Sequence, residues 1–282
     1  MNMDCLLITT NLEERFEKLK KCTEYLNKFN FKTKNLSIDC FTENAVQDFS
    51  FFEKNGWNIN KHERKGIFGN IVEGLKGLES EWLFYCEDDV AVEKIPTHDE
   101  IISIQNLKSG NRKAGYISFM FGGMEEGRNV KELNEYLKSK KSYKDVSKES
   151  QIFLRQEKFK NDFFINFPVA LFQKEALNEL VDYIKLYKQG KQVEQAFSEA
   201  WIEKGMCERY FSLSYIKKFD PLNVKLKMLS ETTEQQKSYF GDNLNTFIES
   251  RSFIHTISNY FIYVKTLENN WNDNSIIGGK SC

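Results

Sequence analysis

The sequence predicts an α/β domain with a Rossmann-like, mostly parallel central sheet flanked by helices. Two short apolar runs, Cys5–Thr9 and Asn35–Phe41, are typical of buried strands. Between them, the apolar residues of Leu12–Phe29 recur at spacings of three and four, which indicates an amphipathic helix. A strand, a helix and a second strand at this spacing open a parallel sheet. The almost wholly apolar run Trp82–Cys86 is typical of a central strand that is buried on both faces.

The remaining elements follow from the same periodicities and from turn signals. Asn11 is the predicted N-cap of the first helix, because its side-chain oxygen can accept from a free backbone N–H group. Asp220-Pro221 marks a turn in a partly irregular region. In chain order, the further predicted elements are a helix over Gly66–Leu78, a strand over Tyr116–Phe121, an apolar segment at Phe163–Phe172, and helices over Glu175–Leu186 and Val193–Lys204.

We predict one main domain over residues 1–231. Within it, residues 124–160 are highly charged with little apolar content, which indicates an insertion or lid with some helix around Val130–Leu137. Residues 232–282 are predicted to form a helical C-terminal extension and tail, because Leu244–Leu267 is amphipathic.

Composition restricts the class of partner. The 282 residues are 40% hydrophobic and 14% aromatic, which is enough for a substantial core. Lys and Arg total 40 against 41 Asp and Glu, a formal net charge of -1. Proteins that wrap nucleic acid usually carry a clear basic excess, so this balance counts against such a partner while leaving room for a local basic patch.

Cysteine usage and hydropathy indicate a cytoplasmic protein. The 6 cysteines are scattered and form no C-x-x-C pair, which argues against a zinc framework or a disulfide scaffold and favours free thiols in a reducing compartment. Met1–Thr10 lacks the basic flank and cleavage site of a signal peptide. Phe253–Val264 is too short and too polar to cross a bilayer, so we expect any membrane contact to be peripheral.

Three acids follow the predicted central strand. We call Glu87-Asp88-Asp89 the acid motif. Side chains alternate along a strand, so Glu87 and Asp89 point to one side while Asp88 can reach a neighbouring hydroxyl on the other. Burial and mutual repulsion raise the pKa values of such carboxyls, and a divalent cation relieves that cost. Oxygen ligands suit Mg²⁺ or Mn²⁺. An acidic run can also be a solvated loop, but its place after a buried strand favours the cation site.

The segment from Gly66 through Trp82–Val90 resembles the nucleotide-sugar half of GT-A glycosyltransferases, in which a helix precedes a buried strand ending in an Asp-x-Asp-type motif. The Glu-Asp-Asp-Val form is most similar to the lipooligosaccharide and collagen galactosyltransferase family. Asn166–Leu177 is similar to that family's strand and helix near the acceptor site, and weaker similarity lies at Asp220-Pro221-Leu222 and Ser230-Glu231. The family's Ser-His pair in the glycine-led helix is replaced here by Asn70 and Ile71.

The resemblance implies a metal-dependent hexosyltransferase that uses a nucleotide-sugar, UDP-sugar by default, and a glycan or glycoconjugate hydroxyl as acceptor. Its catalytic domain would be residues 1–231, with Mn²⁺ or Mg²⁺ as cofactor. It implies that Asp89 ligates the metal, with Glu87 and Asp88 assisting at the metal or the ribose. The other residues that it places near the donor are Thr9, Thr10, Asn11, Asp39, Arg64 and Lys65.

Several roles have competing interpretations. Arg64 and Lys65 could reach the diphosphate or form a solvated charge pair. Glu199 is the favoured catalytic base, with Asp162 and Glu194 competing; a surface helical acid is the alternative for each. His255 is either a metal ligand or a structural histidine. Arg15 lies near the first loop or is an exposed helical arginine.

Two other functions compete. One is a glycosyltransferase that acts on a modified base in DNA, for which Lys138–Lys148 and Phe159, Phe163 and Phe164 could form a strand-binding surface. The other is a non-catalytic protein that binds a sugar nucleotide.

Overall fold

A computed structural model describes residues 2–42, 45–63, 65–107, 111–119, 143–154, 165, 169–188, 191–218, 229–230, 232–246 and 262–267. The predictions at Arg64, Asp162 and His255 lie outside these ranges, as do those at Val130–Leu137 and at the three phenylalanines of the DNA hypothesis.

A nine-stranded sheet organises the described part of the chain, in the order β3-β2-β1-β4-β9-β6-β10-β8-β7. Strands β8 and β9 run opposite to the other seven, so the sheet is mostly parallel, as predicted. The strands are β1 (Met3–Thr10), β2 (Lys34–Cys40), β3 (Asn58–Glu63), β4 (Trp82–Glu87), β6 (Lys113–Ser118), β7 (Tyr143–Asp145), β8 (Ser150–Leu154), β9 (Val169–Gln173) and β10 (Tyr210–Lys217), with the short β5 (Val90–Val92) and β11 (Val264–Thr266) forming a separate pair.

Helices cover both faces of the sheet. The described helices are α1 (Glu13–Leu26), α2 (Ser50–Lys54), α3 (Gly66–Gly74), α4 (His98–Gln105), α5 (Lys174–Tyr187), α6 (Val193–Glu203), α7 (Met206–Arg209) and α8 (Glu234–Phe240). One core cluster contains residues of α1, α2 and α4, and the other contains residues of α3, α5, α6 and α7. Phe84 and Cys86 of β4 belong to the first cluster, whereas Leu83 and Tyr85 belong to the second. Strand β4 is therefore buried on both faces, as its apolar sequence predicts.

Two local predictions are wrong. Asn11 does not cap α1: the capping position is Leu12, which makes no side-chain cap hydrogen bond. The Asn11 amide instead donates to the Phe41 carbonyl at 3.0 Å, and the Phe41 N–H donates back to Asn11 Oδ1 at 2.6 Å. The helix predicted over Leu244–Leu267 is contradicted at its end, because Val264–Thr266 forms β11, antiparallel to β5.

The charged segment 124–160 is only partly described. Its residues 143–154 contain β7 and β8, which extend the central sheet beyond β10. These residues therefore belong to the sheet and not to a lid. The division at residue 231 remains a prediction. No helix in the described ranges is long and apolar enough to span a membrane.

Helix α5 offers a test of the packing. Leu180 is fully buried in the second core cluster, whereas Leu186 of the same helix is 72% exposed. We expect Leu180→Ala to lower the free energy of unfolding by about 2–5 kcal/mol, because it leaves a cavity in a packed core. Leu186→Ala should change it by no more than about 0.5 kcal/mol. Urea unfolding of both variants measures the difference. Equal effects would contradict the assigned helix face.

Candidate active site

Part of the predicted site, namely Thr9, Thr10, Asp39 and the acid motif, lies where β1, β2 and β4 end. These three strands are parallel neighbours, so their carboxyl ends meet at one edge of the sheet. The register pairs Thr10 with Asp39 and Ile8 with Glu87. The edge therefore collects the first-strand loop, the end of the second strand and the acid motif, which lie far apart in the sequence.

Asp88 points into the protein from the turn that follows β4. Its side chain has 0% exposure and accepts hydrogen bonds on both carboxylate oxygens. The Thr9 hydroxyl and Arg15 Nε donate to Oδ2, the latter at 3.0 Å, and Arg15 Nη2 donates to Oδ1. The expectation that the middle acid reaches a neighbouring hydroxyl is thus met by Thr9. These contacts engage both oxygens of Asp88 with protein groups, and its predicted role at the metal or the ribose stays a prediction.

Glu87 and Asp89 are different, because the negative charges of their side chains are less well compensated than that of Asp88. Burial raises the pKa of Glu87 to about 8, repulsion from Asp89, Glu194 and Asp88 adds to the shift, and a 3.3 Å hydrogen bond from the Tyr85 hydroxyl opposes it. Burial also raises the pKa of Asp89, against the attraction of Arg15 at 3.9 Å. Raised pKa values mean that the anionic forms are poorly compensated. A positive charge at this position would compensate them.

The acids fit a hard divalent cation. Mg²⁺ is commonly held by one or two carboxylates together with water and substrate phosphates, and the two acids supply such a set. Across the described ranges, no group of three or more His, Cys, Asp and Glu side chains is arranged to hold a metal by itself. Phosphate oxygens and water would therefore have to complete the coordination.

Asp39 accepts hydrogen bonds from the start of α3, and the Lys65 side chain pairs with an acid of the same helix. The N–H groups of Lys65 and Gly66 donate to Asp39 Oδ1 and Oδ2 at 2.7 and 2.9 Å, which satisfies free donors at the helix N-terminus. Lys65 Nζ lies 2.7 Å from Glu73 Oε1 on the same helix. Both residues thus have partners within the protein, and their predicted roles at the donor stay predictions.

A hydrogen-bond network that was not predicted from the sequence supports the carboxyl end of β1. His62 Nε2 lies 2.9 Å from Asn70 Oδ1, and Asn70 Nδ2 donates to the Thr9 carbonyl at 2.9 Å. His62 Nδ1 also lies 3.6 Å from Asp39 Oδ1. Asn70 and Ile71 stand where the family has its Ser-His pair. This difference could have indicated the network, because Asn70 faces the site from α3.

Two of the three candidate bases, Glu194 and Glu199, lie on α6. Glu199 accepts from Lys188 Nζ at 2.9 Å, from Gln195 Nε2 at 2.9 Å and from Lys191 Nζ. The hydrogen bonds from Lys191 and Lys188 lower the pKa of Glu199 to about 2. Glu194, in the first turn of α6, contributes to the raised pKa of Glu87 and so lies within electrostatic range of the acid motif.

Sequence and structure comparisons give distant likenesses. No protein-family profile matches the chain, and no curated protein sequence is significantly similar to it. The chain is similar in structure to S. aureus TarS 1–349, with 14% identity over 92% of this chain and 72% of that chain and a TM-score of 0.45. It is also similar to GalNAc-T7 with UDP, GalNAc and Mn²⁺ (13% identity, 85% and 50% covered, TM-score 0.47). A mannosyltransferase from Pyrobaculum calidifontis with GDP-Man and Mn²⁺ is a third (13%, 75% and 53%, 0.40).

The chain spans only about half the length of the last two proteins. Because all these likenesses are distant, neither a function nor a residue role is transferred from them.

The capping role of Asp39 can be tested. We expect Asp39→Ala to lower the free energy of unfolding by about 1 kcal/mol, because two N–H groups of α3 lose their acceptor. Asp39→Asn should lose less, since its amide oxygen still accepts one N–H. Urea unfolding measures both, with Asp182→Ala as the control because Asp182 is an exposed acid of α5. If Asp39→Ala left stability unchanged but weakened UDP binding, the predicted place of Asp39 near the donor would be the better interpretation.

Proposed function

We propose that this protein is a GT-A-type, metal-dependent glycosyltransferase that moves a hexose from a nucleotide-sugar, UDP-sugar by default, to the hydroxyl of a glycan. The observation that carries the proposal is the poorly compensated pair Glu87 and Asp89 at the carboxyl edge of the sheet. Ligands of open α/β sheets bind at this edge. The resemblance of the acid motif to an Asp-x-Asp-type motif supports the same function.

The two acids would hold Mn²⁺ or Mg²⁺ against the donor. When bound, the cation would neutralise the charge that develops on the leaving diphosphate. Asp89 is the more accessible acid, with 26% of its side chain exposed, and we assign it the primary contact. Glu87 would complete the pair from its more buried position. His255, the third predicted ligand, lies outside the described residues and remains a proposal.

The carboxyl end of β1 and Asn11 after it would face the nucleotide. Thr9 is held from two sides, by its hydroxyl on Asp88 and by its carbonyl on Asn70, so its backbone is fixed next to the acid motif. Thr10 follows at the end of the strand, and among the described residues its buried hydroxyl oxygen has no hydrogen-bond partner. A buried hydroxyl without a partner is costly, which favours a donor ligand in contact with it.

For an inverting reaction we propose Glu194 as the base that accepts the proton of the acceptor hydroxyl. A base works best when its pKa is near the working pH. The pKa of Glu199 is far below that range because two lysines bind its carboxylate. Glu194 is the acid of α6 that acts on the acid motif. Asp162 lies outside the described residues and keeps its place as a competing candidate.

A reducing compartment also fits the thiols. All five cysteines within the described ranges are free, and three of them, Cys5, Cys22 and Cys86, are buried in the core. We propose the cytoplasm as the location on this basis.

Removal of Asp89 tests the function. We expect wild-type protein with Mn²⁺ to hydrolyse or transfer sugar from one member of a panel of UDP-, GDP- and CMP-sugars. Asp89→Ala should lower that turnover by about a hundredfold or more, because the cation loses a ligand. The matched control is Asp182→Ala, which removes an exposed acid from α5. A folded Asp89→Ala protein with full metal-dependent turnover would disprove the site.

The choice of base has its own test. On the donor identified above, we expect Glu194→Gln to lower kcat about 10²- to 10⁴-fold, the usual contribution of general acid–base catalysis. Glu199→Gln should keep kcat near the wild-type value, because its carboxylate is already engaged by lysines. Steady-state kinetics with saturating Mn²⁺ compares the two. The reverse ranking would restore Glu199 as the base.

A further inference from the structure

The ion pair between Arg15 and Asp88 is the strongest polar contact at the candidate site. Asp88 is completely buried, and a buried carboxylate is stable only with a well-placed partner. Arg15 supplies that partner with two donors of one guanidinium, on two different carboxylate oxygens. Bidentate geometry of this kind fixes the plane of the carboxylate as well as its charge.

The position of Arg15 is unfavourable for the helix that carries it. Arg15 lies in the first turn of α1, which begins at Glu13. The N-terminus of a helix carries partial positive charge, so a cation there is destabilising in isolation. The cost is offset only because the side chain reaches across to the end of β4. The position of Arg15 therefore indicates that it acts on the acid motif and does not stabilise α1.

The same guanidinium also faces the second acid. Arg15 Nη2 lies 3.9 Å from Asp89 Oδ2, so the Arg15 guanidinium contacts the carboxylates of both Asp88 and Asp89. The Thr9 hydroxyl donates to the same oxygen of Asp88, Oδ2, as Arg15 Nε does, so three donors hold this carboxylate in one orientation.

We propose that Arg15 is a positioning residue of the metal site, which holds Asp88 out of the cation's ligand set and thereby fixes where Glu87 and Asp89 meet the cation. This inference rests on the proposed function. Residues that orient metal ligands without touching the metal typically matter for affinity, and their loss weakens metal binding roughly 10- to 100-fold. A third of the Arg15 side chain is exposed, so direct contact with the donor diphosphate is the competing role.

A double-mutant cycle on Mn²⁺ binding separates these roles. Mn²⁺ is titrated calorimetrically into the full chain in the presence of UDP, whose phosphates would complete the coordination. We expect Arg15→Gln to weaken Mn²⁺ binding roughly 10- to 100-fold. In the Asp88→Asn background, the same Arg15→Gln change should matter by only about twofold, because the charge through which Arg15 acts is gone. Lys21→Gln, which removes an exposed cation from the same helix, should leave Mn²⁺ affinity unchanged.

Two further variants keep the test decisive if Arg15→Gln unfolds. Arg15→Lys keeps the charge but not the bidentate contact, so it should give an intermediate loss of affinity. Arg15→Gln with Asp88→Asn contains no unpaired buried charge, and its melting temperature should exceed that of Arg15→Gln alone.

The outcomes distinguish the two proposals. If wild-type protein binds Mn²⁺ and Asp89→Ala does not, but Arg15→Gln binds as wild type does, the positioning role is overturned and the proposed function stands. An equal effect of Arg15→Gln in both backgrounds also overturns it, because Arg15 would then not act through Asp88. If wild-type protein binds no Mn²⁺ and turns over no donor, the proposed function fails and the inference fails with it.

Discussion

The arrangement of the site depends on one electrostatic constraint. Three adjacent acids lie at the end of a strand that is buried on both faces, and their negative charges have to be compensated there. Water cannot solvate all three there, and their mutual repulsion is strong at low dielectric. The protein resolves the problem unequally. Asp88 receives an arginine and a hydroxyl from the protein, whereas the pKa values of Glu87 and Asp89 remain raised. The cost that is left at these two acids is what makes the edge suited to a cation.

The fold was largely predictable because its elements carry strong apolar periodicity. Strand β4 and helices α1, α5 and α6 appear where the sequence places them. Strand β3 was missed because Asn58–Glu63 is an edge strand of polar residues, so no face of it is marked by hydrophobicity. Strands β7 and β8 were missed because they lie within the segment 124–160, whose many charged residues indicated an insertion or lid.

The site was less predictable than the fold, because its decisive contacts join distant parts of the chain. Nothing near Arg15 in the sequence indicates that it pairs with Asp88, 73 positions later. Glu199 attracted attention by its apolar neighbours, but Ala200 and Trp201 mark the buried face of α6, and Glu199 points instead toward Lys188 and Lys191. The apolar residues beside Glu199 therefore reflect the packing of α6, and the role of Glu199 as a base stays a prediction.

The short β5–β11 ladder has a consequence for the order of assembly. The Leu267 N–H donates to the carbonyl of Asp89 at 2.6 Å, and the Glu93 N–H donates to that of Tyr263 at 2.7 Å. The Tyr263 hydroxyl is anchored in turn at Ser150. Contacts between such remote segments form late, since the entropy of closing a long loop is paid before they stabilise anything. Chain synthesis also delivers β1 and β4 well before β11. We therefore expect the backbone of the acid motif to be completed after the sheet, so that a partly folded chain would form its core before the candidate cation site.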